Sequence, residues 1–288
     1  MVLGHEVSGT VQALGAGVQK VRVGDRVALN PSRPCGQCEY CLDGQHQHCL
    51  NMKFCGSAMP MPHSQGAFRT LLVAEERQCE VIADTVSLAE AACAEPLAVA
   101  LHAVAQHGDL SGRRVLVTGA GPIGCLVVAA VRWAGAAEVV VIDLNDGALA
   151  KAVEMGANRT INVATHSTQL AGDYSAGKGY FDAVFECTGA PAIFRDIAPV
   201  LRPRGTLVQI GIGGEVALPV NLLVSKEIRL LGAFRFDSEY ALAVRLLSEG
   251  AINVRPIITA SFPLAQAVEA FQAASQRTQH SKVQISFE

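Results

Sequence analysis

The chain has 288 residues, of which 50% are hydrophobic and 17% charged, and its formal net charge at pH 7 is −3. This composition predicts a folded protein of about two domains with a substantial core. The small net charge gives no basic field for nucleic acid, and charges and glycines interrupt the most apolar stretch, residues 115–144, so it does not predict a membrane span. No signal peptide opens the sequence. We therefore expect a cytoplasmic protein that binds neither nucleic acid nor a membrane.

The first part of the chain, up to about residue 85, is rich in glycine, valine and turn residues and predicts short strands. These strands are expected at residues 7–14, 26–30, 67–73 and 79–82. Such a series is typical of a partly closed β-barrel or sandwich. Two helices are predicted next, at 87–92 and 97–106, with Pro96 separating them.

Strands and helices then alternate regularly. Strands are predicted at 115–118, 139–142, 183–186 and 207–210, and helices at 122–133, 147–155 and 192–200. Continuous Val/Ile/Leu strands between helices indicate a parallel sheet covered on both faces. Helices at 239–248 and 264–274 and a strand at 282–286 end the sequence, and they could complete either part.

The nine cysteines are unevenly placed. Their odd number, in a chain without a signal peptide, argues against a disulfide framework and favours metal binding plus buried thiols. The scattered ones are interpreted as small core residues: Cys79, Cys93, Cys125 and Cys187.

The strongest local pattern is CGQCEYCLDGQHQHC, in which three cysteines recur every third residue and a fourth follows. Four thiolates at this spacing can hold one tetrahedral Zn²⁺ without an open position, which is typical of a structural site. A disulfide pair or an iron–sulfur cluster are the alternatives, and the four-thiolate pattern in a reducing compartment favours zinc. The four are Cys35, Cys38, Cys41 and Cys49, while His46 and His48 are interpreted as solvated loop residues and Cys55 as a spare thiol.

The second pattern is VLVTGAGPIG, a predicted strand that leads into Gly119-x-Gly121-x-x-Gly124 and then into a helix. The three glycines permit a tight turn, close approach of the backbone to a pyrophosphate, and close packing of helix on strand. The next strand ends in Asp143, about 20 residues after the third glycine, where an acid binds the ribose hydroxyls and repels a 2′-phosphate. The pattern predicts binding of NAD rather than NADP. The alternative is a glycine turn that only packs the helix on the strand and binds no dinucleotide.

The third pattern, Gly-His-Glu at residues 4–6, is weak alone, because a single His near a strand is more often structural than a metal ligand. Glu95 lies where the β-rich part gives way to the alternating part, and its carboxylate could supply a further ligand. A charge at a helix N-terminus is its alternative role.

Together, in this order and spacing, these segments resemble the zinc-containing medium-chain alcohol and polyol dehydrogenases from Gly4 to the C-terminus. The resemblance implies an α/β protein with a Rossmann doubly wound parallel sheet plus a GroES-like, β-rich catalytic domain lacking its N-terminal strands. The implied domains are a partial GroES-like domain at 1–94, an NAD-binding domain at 95–237 and a return to the catalytic domain at 238–288. The implied reaction is NAD-linked oxidation of a secondary alcohol of a sugar acid or polyol by a homodimer or homotetramer. Sorbitol-, xylitol- or threonine-type dehydrogenases and an inactive NAD-binding protein are the alternatives.

The resemblance also implies roles for particular residues. It assigns His5, Glu6 and Glu95 to a catalytic zinc, and Cys35, Cys38, Cys41 and Cys49 to a structural zinc. It assigns cofactor contacts to Gly119, Gly121, Ile123, Gly124, Asp143, Ile210, Gly211, Ile212, Phe234 and Arg235. The arginine that often covers the adenine is replaced by Ala148. We further hypothesise that Arg235 pairs with a substrate carboxylate, which suits its planar fork; contact with the cofactor alone is the alternative.

One departure concerns the catalytic zinc. Members of the family carry strands ahead of Gly-His-Glu, with a cysteine that is the first zinc ligand and a hydroxyl residue of the proton relay. Neither precedes His5 here. The sequence therefore predicts an N-terminally truncated chain whose catalytic zinc has at most His5, Glu6 and Glu95, and which has little or no dehydrogenase activity. Cys93 is interpreted as a core residue rather than a replacement ligand.

Overall fold

The structure, a computed structural model, describes residues 1–287. Its strands are β1 (Val7–Thr10), β2 (Arg26–Leu29), β3 (Ser32–Arg33), β4 (Lys53–Phe54), β5 (Cys79–Val81), β6 (Arg114–Thr118), β7 (Glu138–Asp143), β8 (Arg159–Asn162), β9 (Phe181–Glu186), β10 (Leu201–Gln209), β11 (Arg229–Gly232), β12 (Ile258–Pro263) and β13 (Lys282–Ser286). Its α-helices are α1 (Glu39–Leu42), α2 (Leu88–Ala91), α3 (Ala94–His107), α4 (Pro122–Trp133), α5 (Asp146–Glu154), α6 (Gln169–Tyr174), α7 (Ile193–Val200), α8 (Val220–Ser225), α9 (Glu239–Ser248) and α10 (Ala267–Ser275).

These elements form two units. The β-rich unit comprises Met1–Ala98, Arg235–Ser275 and the residues from Lys282 onward, and the α/β unit comprises Val99–Phe234 and Gln276–Ser281. The two C-terminal helices and the last strand therefore lie in the β-rich unit, to which the family resemblance assigns residues 238–288.

The α/β unit is built on one parallel sheet with the strand order β11-β10-β9-β6-β7-β8. Numbered within the unit, this is the 3-2-1-4-5-6 order of a doubly wound dinucleotide-binding fold. The central strands are fully buried along Val115–Val117 and Val139–Val141, which explains their continuous apolar sequence. The predicted parallel sheet is confirmed. The edge strands β8 and β11 were not predicted, because each is only four residues long and polar at one or both ends.

The glycine pattern forms the predicted turn between β6 and α4. Gly119 has φ +86°, and Gly121 caps the helix with Pro122 in its first turn. A Cβ on Gly124 would lie 1.8 Å from the Gly119 carbonyl oxygen, so only glycine permits this close approach of helix to strand. The N–H groups at the start of α4 are thereby left free for a ligand.

The β-rich unit contains an antiparallel sheet, β1-β2-β5, and the separate pairs β3-β4 and β12-β13. The strand predicted at residues 67–73 is wrong. Leu71 and Val73, which lie within it, are 72% and 99% exposed, so no core supports a strand there. Instead, residues 66–68 hydrogen-bond to the backbone of residues 2–4.

The break between α2 and α3 also differs from the prediction. Ser87 and Glu90 form a capping box on α2, as the sequence pattern favours. The second helix begins at Ala94, and Pro96 lies in its first turn, where the missing N–H has no helical partner to lose. Glu95 is thereby fixed at a helix start. In the described chain, Leu88–His107 alone is long and apolar enough to cross a membrane, and 67% of it is buried within the protein.

Candidate functional site

The four cysteines of the predicted structural site lie together. Their sulfur atoms are all within 4.8 Å of one another. The short helix α1 carries Cys41, and a helical turn at His46–His48 leads to Cys49. All nine cysteines are free thiols, so the disulfide alternative finds no support. Four sulfurs at this separation fit a tetrahedral ion with Zn–S bonds of about 2.3 Å.

Backbone N–H groups surround the sulfurs of this tetrad. Donation from Gln37 and Cys38 lowers the pKa of Cys35 to about 6. The Cys49 sulfur accepts hydrogen bonds from the N–H groups of Cys35 (3.2 Å) and Asn51 (3.3 Å). Such donors favour the thiolate form that binds metal, whereas burial raises the pKa of the Cys41 thiol to about 12, so binding of a cation must displace its proton.

A second cluster in the same unit joins His5, Glu6 and Glu95, whose ligand atoms also lie within 4.8 Å of one another. Gly4 has φ +90°, and a Cβ there would lie 2.8 Å from the Phe68 ring, so glycine is required directly before His5. One nitrogen and two carboxylate donors match a catalytic zinc site, in which three protein ligands leave a position open for water or substrate.

Burial governs the protonation of this cluster. It raises the pKa of Glu95, which is 6% exposed, to about 8, and the negative charge of Glu6 adds to the effect. It lowers the pKa of His5, with the cations of Lys282 and Arg235 contributing. His5 is therefore held as the neutral imidazole, which is the form that binds a metal.

Lys282 is a member of this cluster that the sequence did not reveal. Its ammonium group, on β13, forms an ion pair with Glu6. Burial opposes the charge of Lys282, but the pairing with Glu6 raises its pKa. The two residues are separated by 276 positions, so no local motif could have linked them.

Arg235 also lies in the β-rich unit. Its guanidinium carbon is 4.3 Å from the centroid of the Phe54 ring, a cation–π contact, and Phe54 packs against His5 with ring centroids 5.4 Å apart. Burial lowers the pKa of Arg235, and the charge of Glu95 partly offsets this. A fixed cation thus lies beside the three candidate ligands.

The glycine turn of the α/β unit is tied to the predicted ribose-binding acid. One carboxylate oxygen of Asp143 accepts from the N–H of Ala120 (2.6 Å), and the other accepts from the N–H of Asn145 (2.9 Å). The Gly119 N–H donates to the carbonyl of Ile142 at 2.8 Å. The acid and the turn therefore form one rigid cradle at the carboxyl edge of the sheet.

The remaining residues predicted to contact the cofactor lie after β10 and β11. Ile212 is 88% exposed and Phe234 40% exposed, so both side chains are available to a ligand of the α/β unit. Gly211 contacts the loop after β9, where a Cβ would lie 2.2 Å from the Gly189 nitrogen.

The sequence matches two known families. Residues 122–249 match the family described as zinc-binding dehydrogenase, and residues 1–84 match the alcohol dehydrogenase GroES-like domain. The chain belongs to the zinc-binding dehydrogenase family. The matches confirm the predicted pairing of a GroES-like domain with a dinucleotide-binding domain.

Individual relatives agree with this assignment. The chain is 43% identical to the L-idonate 5-dehydrogenase (NAD(P)(+)) of Escherichia coli K12 over 100% of its own length and 82% of the relative's. A crystal structure of L-idonate 5-dehydrogenase from E. coli K-12 superposes with a TM-score of 0.93 at 42% identity, covering 100% of this chain and 82% of that one. Human sorbitol dehydrogenase is 36% identical over 94% of this chain and 76% of its own. The predicted enzyme class, a zinc-dependent dehydrogenase of alcohols or polyols that uses a nicotinamide dinucleotide, is confirmed.

Proposed function

We propose that the protein oxidises the C5 hydroxyl of L-idonate to 5-keto-D-gluconate with NAD, or catalyses the reverse reaction. The observation that carries the proposal is the convergence of His5, Glu6 and Glu95 in a chain that matches an L-idonate 5-dehydrogenase along its whole length. The sorbitol dehydrogenases, at 36% identity, make a neutral polyol the second candidate substrate.

We assign the catalytic zinc to His5, Glu6 and Glu95 and the structural zinc to the cysteine tetrad. When bound, zinc supplies Lewis acidity at the substrate hydroxyl, and NAD supplies the hydride acceptor. The protein's own part is to hold the ligands. The ion pair with Lys282 fixes the Glu6 carboxylate, and the burial of Glu95 keeps its oxygen in a water-poor site.

We assign cofactor selectivity to Asp143. Its carboxylate is held beside the glycine turn by the Ala120 N–H, where it can accept hydrogen bonds from ribose hydroxyls and repel a 2′-phosphate. We thus assign NAD alone, whereas the name of the E. coli relative includes both NAD and NADP.

An assay of the 288-residue chain with zinc tests the proposal. The zinc content per chain, NADH binding, and NADH formation with L-idonate, sorbitol, xylitol and L-threonine are measured together. Two zinc ions and turnover that prefers L-idonate would support it. One zinc ion, with NADH binding but no turnover on any substrate, would favour the inactive alternative and agree with the low activity predicted from the three-ligand set. If the protein instead prefers sorbitol or threonine, that compound becomes the proposed substrate in place of L-idonate.

We propose that Arg235 binds the carboxylate of L-idonate. Stacking on the Phe54 ring fixes the planar guanidinium group of Arg235. This group also interacts with Glu95, a candidate metal ligand, and so lies beside the proposed metal site. Loss of a charge-assisted pair of this kind costs about 1.5–3 kcal/mol, so Arg235→Ala is expected to raise the KM for L-idonate about 10- to 100-fold. The KM for sorbitol, which has no carboxylate, should change far less.

Two further variants sharpen this test. Arg235→Lys retains the charge but loses the fork, and should recover only part of the affinity. Arg22→Ala removes an exposed arginine of the same unit and should leave both substrates unaffected. Equal losses for L-idonate and sorbitol in Arg235→Ala would limit Arg235 to a contact with the cofactor.

We also propose that the chain forms a homo-oligomer in the cytoplasm. β11 is an edge strand of the six-stranded sheet, and Leu230 on it is 43% exposed. In the same unit, Val220 and Val224 on α8 are 57% and 70% exposed. An open strand edge and exposed apolar side chains are the kinds of surface that copies of a chain cover. The molar mass from light scattering should be a multiple of 30.3 kDa, and a monomer at micromolar concentration would contradict the proposal.

A further inference from the structure

A buried carboxylate lies at the carboxyl edge of the parallel sheet. Glu186, the last residue of β9, is 0% exposed. It pairs in register with Thr118, the last residue of β6, and with Gln209, the last residue of β10. Three polar side chains therefore form a row across the adjacent strands β6, β9 and β10. The row lies at the carboxyl edge of the sheet, where parallel sheets bind ligands.

The Glu186 carboxylate accepts hydrogen bonds from neutral groups of these strands and of the loop after β9. One oxygen accepts from the Thr118 hydroxyl (3.1 Å), the Thr188 N–H (2.7 Å) and the Thr188 hydroxyl. The other accepts from the Gly189 N–H (2.9 Å) and the Gln209 amide (2.6 Å). A buried carboxylate satisfied in this way fixes every group that donates to it.

The loop that Glu186 fixes contacts both segments predicted to bind the dinucleotide. On one side, a Cβ on Gly119 would lie 2.8 Å from the Thr188 methyl carbon. On the other side, a Cβ on Gly211 or on Gly213 would lie 2.2 Å and 2.1 Å from backbone atoms of Gly189. Thr188 and Gly189 thus set the spacing between the glycine turn and the segment after β10.

We propose that Glu186 is a positioning residue for the dinucleotide. By holding Thr188 and Gly189, it keeps the two cofactor-binding segments in the separation that the cofactor needs, so binding does not have to order them. The inference rests on the proposed binding of NAD by this unit.

The substitution Glu186→Gln tests the proposal, because it preserves the shape of the side chain but replaces one acceptor oxygen with an NH₂ donor. Either orientation of the new amide opposes a backbone N–H, that of Thr188 or that of Gly189. The dissociation constant for NADH, measured by fluorescence titration at a temperature where the variant is folded, is expected to rise about tenfold.

Asp182→Asn is the matched control. Asp182 is another buried carboxylate on β9, at the opposite end of the strand, where it accepts from the Arg114 N–H (2.8 Å) and the Arg202 guanidinium (2.5 Å). Both variants should melt at a lower temperature than the unsubstituted chain. Only Glu186→Gln should lose NADH affinity, because a purely structural role would make the two variants behave alike.

Thr188→Val keeps the test decisive if Glu186→Gln does not fold. It removes one hydroxyl that donates to Glu186, on a residue that is itself exposed, and is expected to weaken NADH binding about threefold. Unchanged NADH affinity in Thr188→Val and in folded Glu186→Gln, beside normal binding by the unsubstituted chain, would overturn the inference alone. Failure of the unsubstituted chain to bind NADH would overturn the proposed function, and the inference with it.

Discussion

Replacing Cys41 with serine is expected to remove one zinc ion per chain and to lower the melting temperature by about 10 °C or more. A closed four-thiolate site needs all four ligands, and a serine hydroxyl does not substitute for a thiolate. Because the segment from Cys35 to Cys49 has little regular structure beyond a four-residue helix and a single turn, we expect its fold to depend on the metal. Elemental analysis and calorimetry of the zinc-loaded protein measure both effects.

Cys55→Ser is the control for this prediction. It makes the same chemical change at a half-buried cysteine outside the tetrad, in the same unit. Its zinc content should equal that of the unsubstituted chain. Equal zinc contents in the two variants would show that the tetrad holds no zinc, and iron in the unsubstituted protein would favour the cluster alternative instead.

Replacing Asp143 with asparagine is expected to lower the preference for NADH over NADPH by up to about 1,000-fold, since a carboxylate repels a 2′-phosphate with about 4 kcal/mol at 4 Å near a protein surface. Asparagine preserves the shape of the side chain and can still accept from the Ala120 N–H, so the glycine turn keeps that contact, while the new NH₂ group then opposes the Asn145 N–H. Most of the change should appear as tighter binding of NADPH, with a smaller loss for NADH.

Asp146→Asn provides the comparison. Asp146 is exposed, lies on α5 in the same unit, and bonds to the Asn162 amide at 2.6 Å. It carries the same charge but was not predicted to contact the ribose. Titration of both variants with NADH and NADPH separates a local contact from the general effect of removing one negative charge. If both variants lose the preference for NADH over NADPH to the same extent, the Asp143 carboxylate does not contact the ribose.

The parts of the site that the sequence predicted are those with short, regular spacing. Cys35, Cys38 and Cys41 lie three positions apart, and the glycines of the β6–α4 turn lie within six residues of one another. Such patterns reflect the geometry of a single loop, so they can be read without the rest of the fold. The same holds for the buried strands β6 and β7, whose continuous apolar sequence requires cover on both faces.

The parts of the site that the sequence did not predict depend on contacts between residues far apart in the chain. Lys282 reaches Glu6 across 276 positions, and Glu186 binds Thr118 across 68. A lone lysine or glutamate inside a strand carries no periodic signal that would mark it as a partner. The wrong strand at residues 67–73 has a related cause: its apolar residues and the turn residues around it fit a strand locally, but Leu71 and Val73 are exposed and pack against no core.

The ion pair of Glu6 and Lys282 has a consequence for the order of folding. The cysteine tetrad closes a loop of 14 positions between Cys35 and Cys49, so it can capture a metal ion early in synthesis. The cluster of His5, Glu6 and Glu95 acquires its lysine only after Lys282 has left the ribosome, and by then every residue of the α/β unit has been synthesised. The two proposed metal sites of one unit would thus be completed at opposite stages of translation.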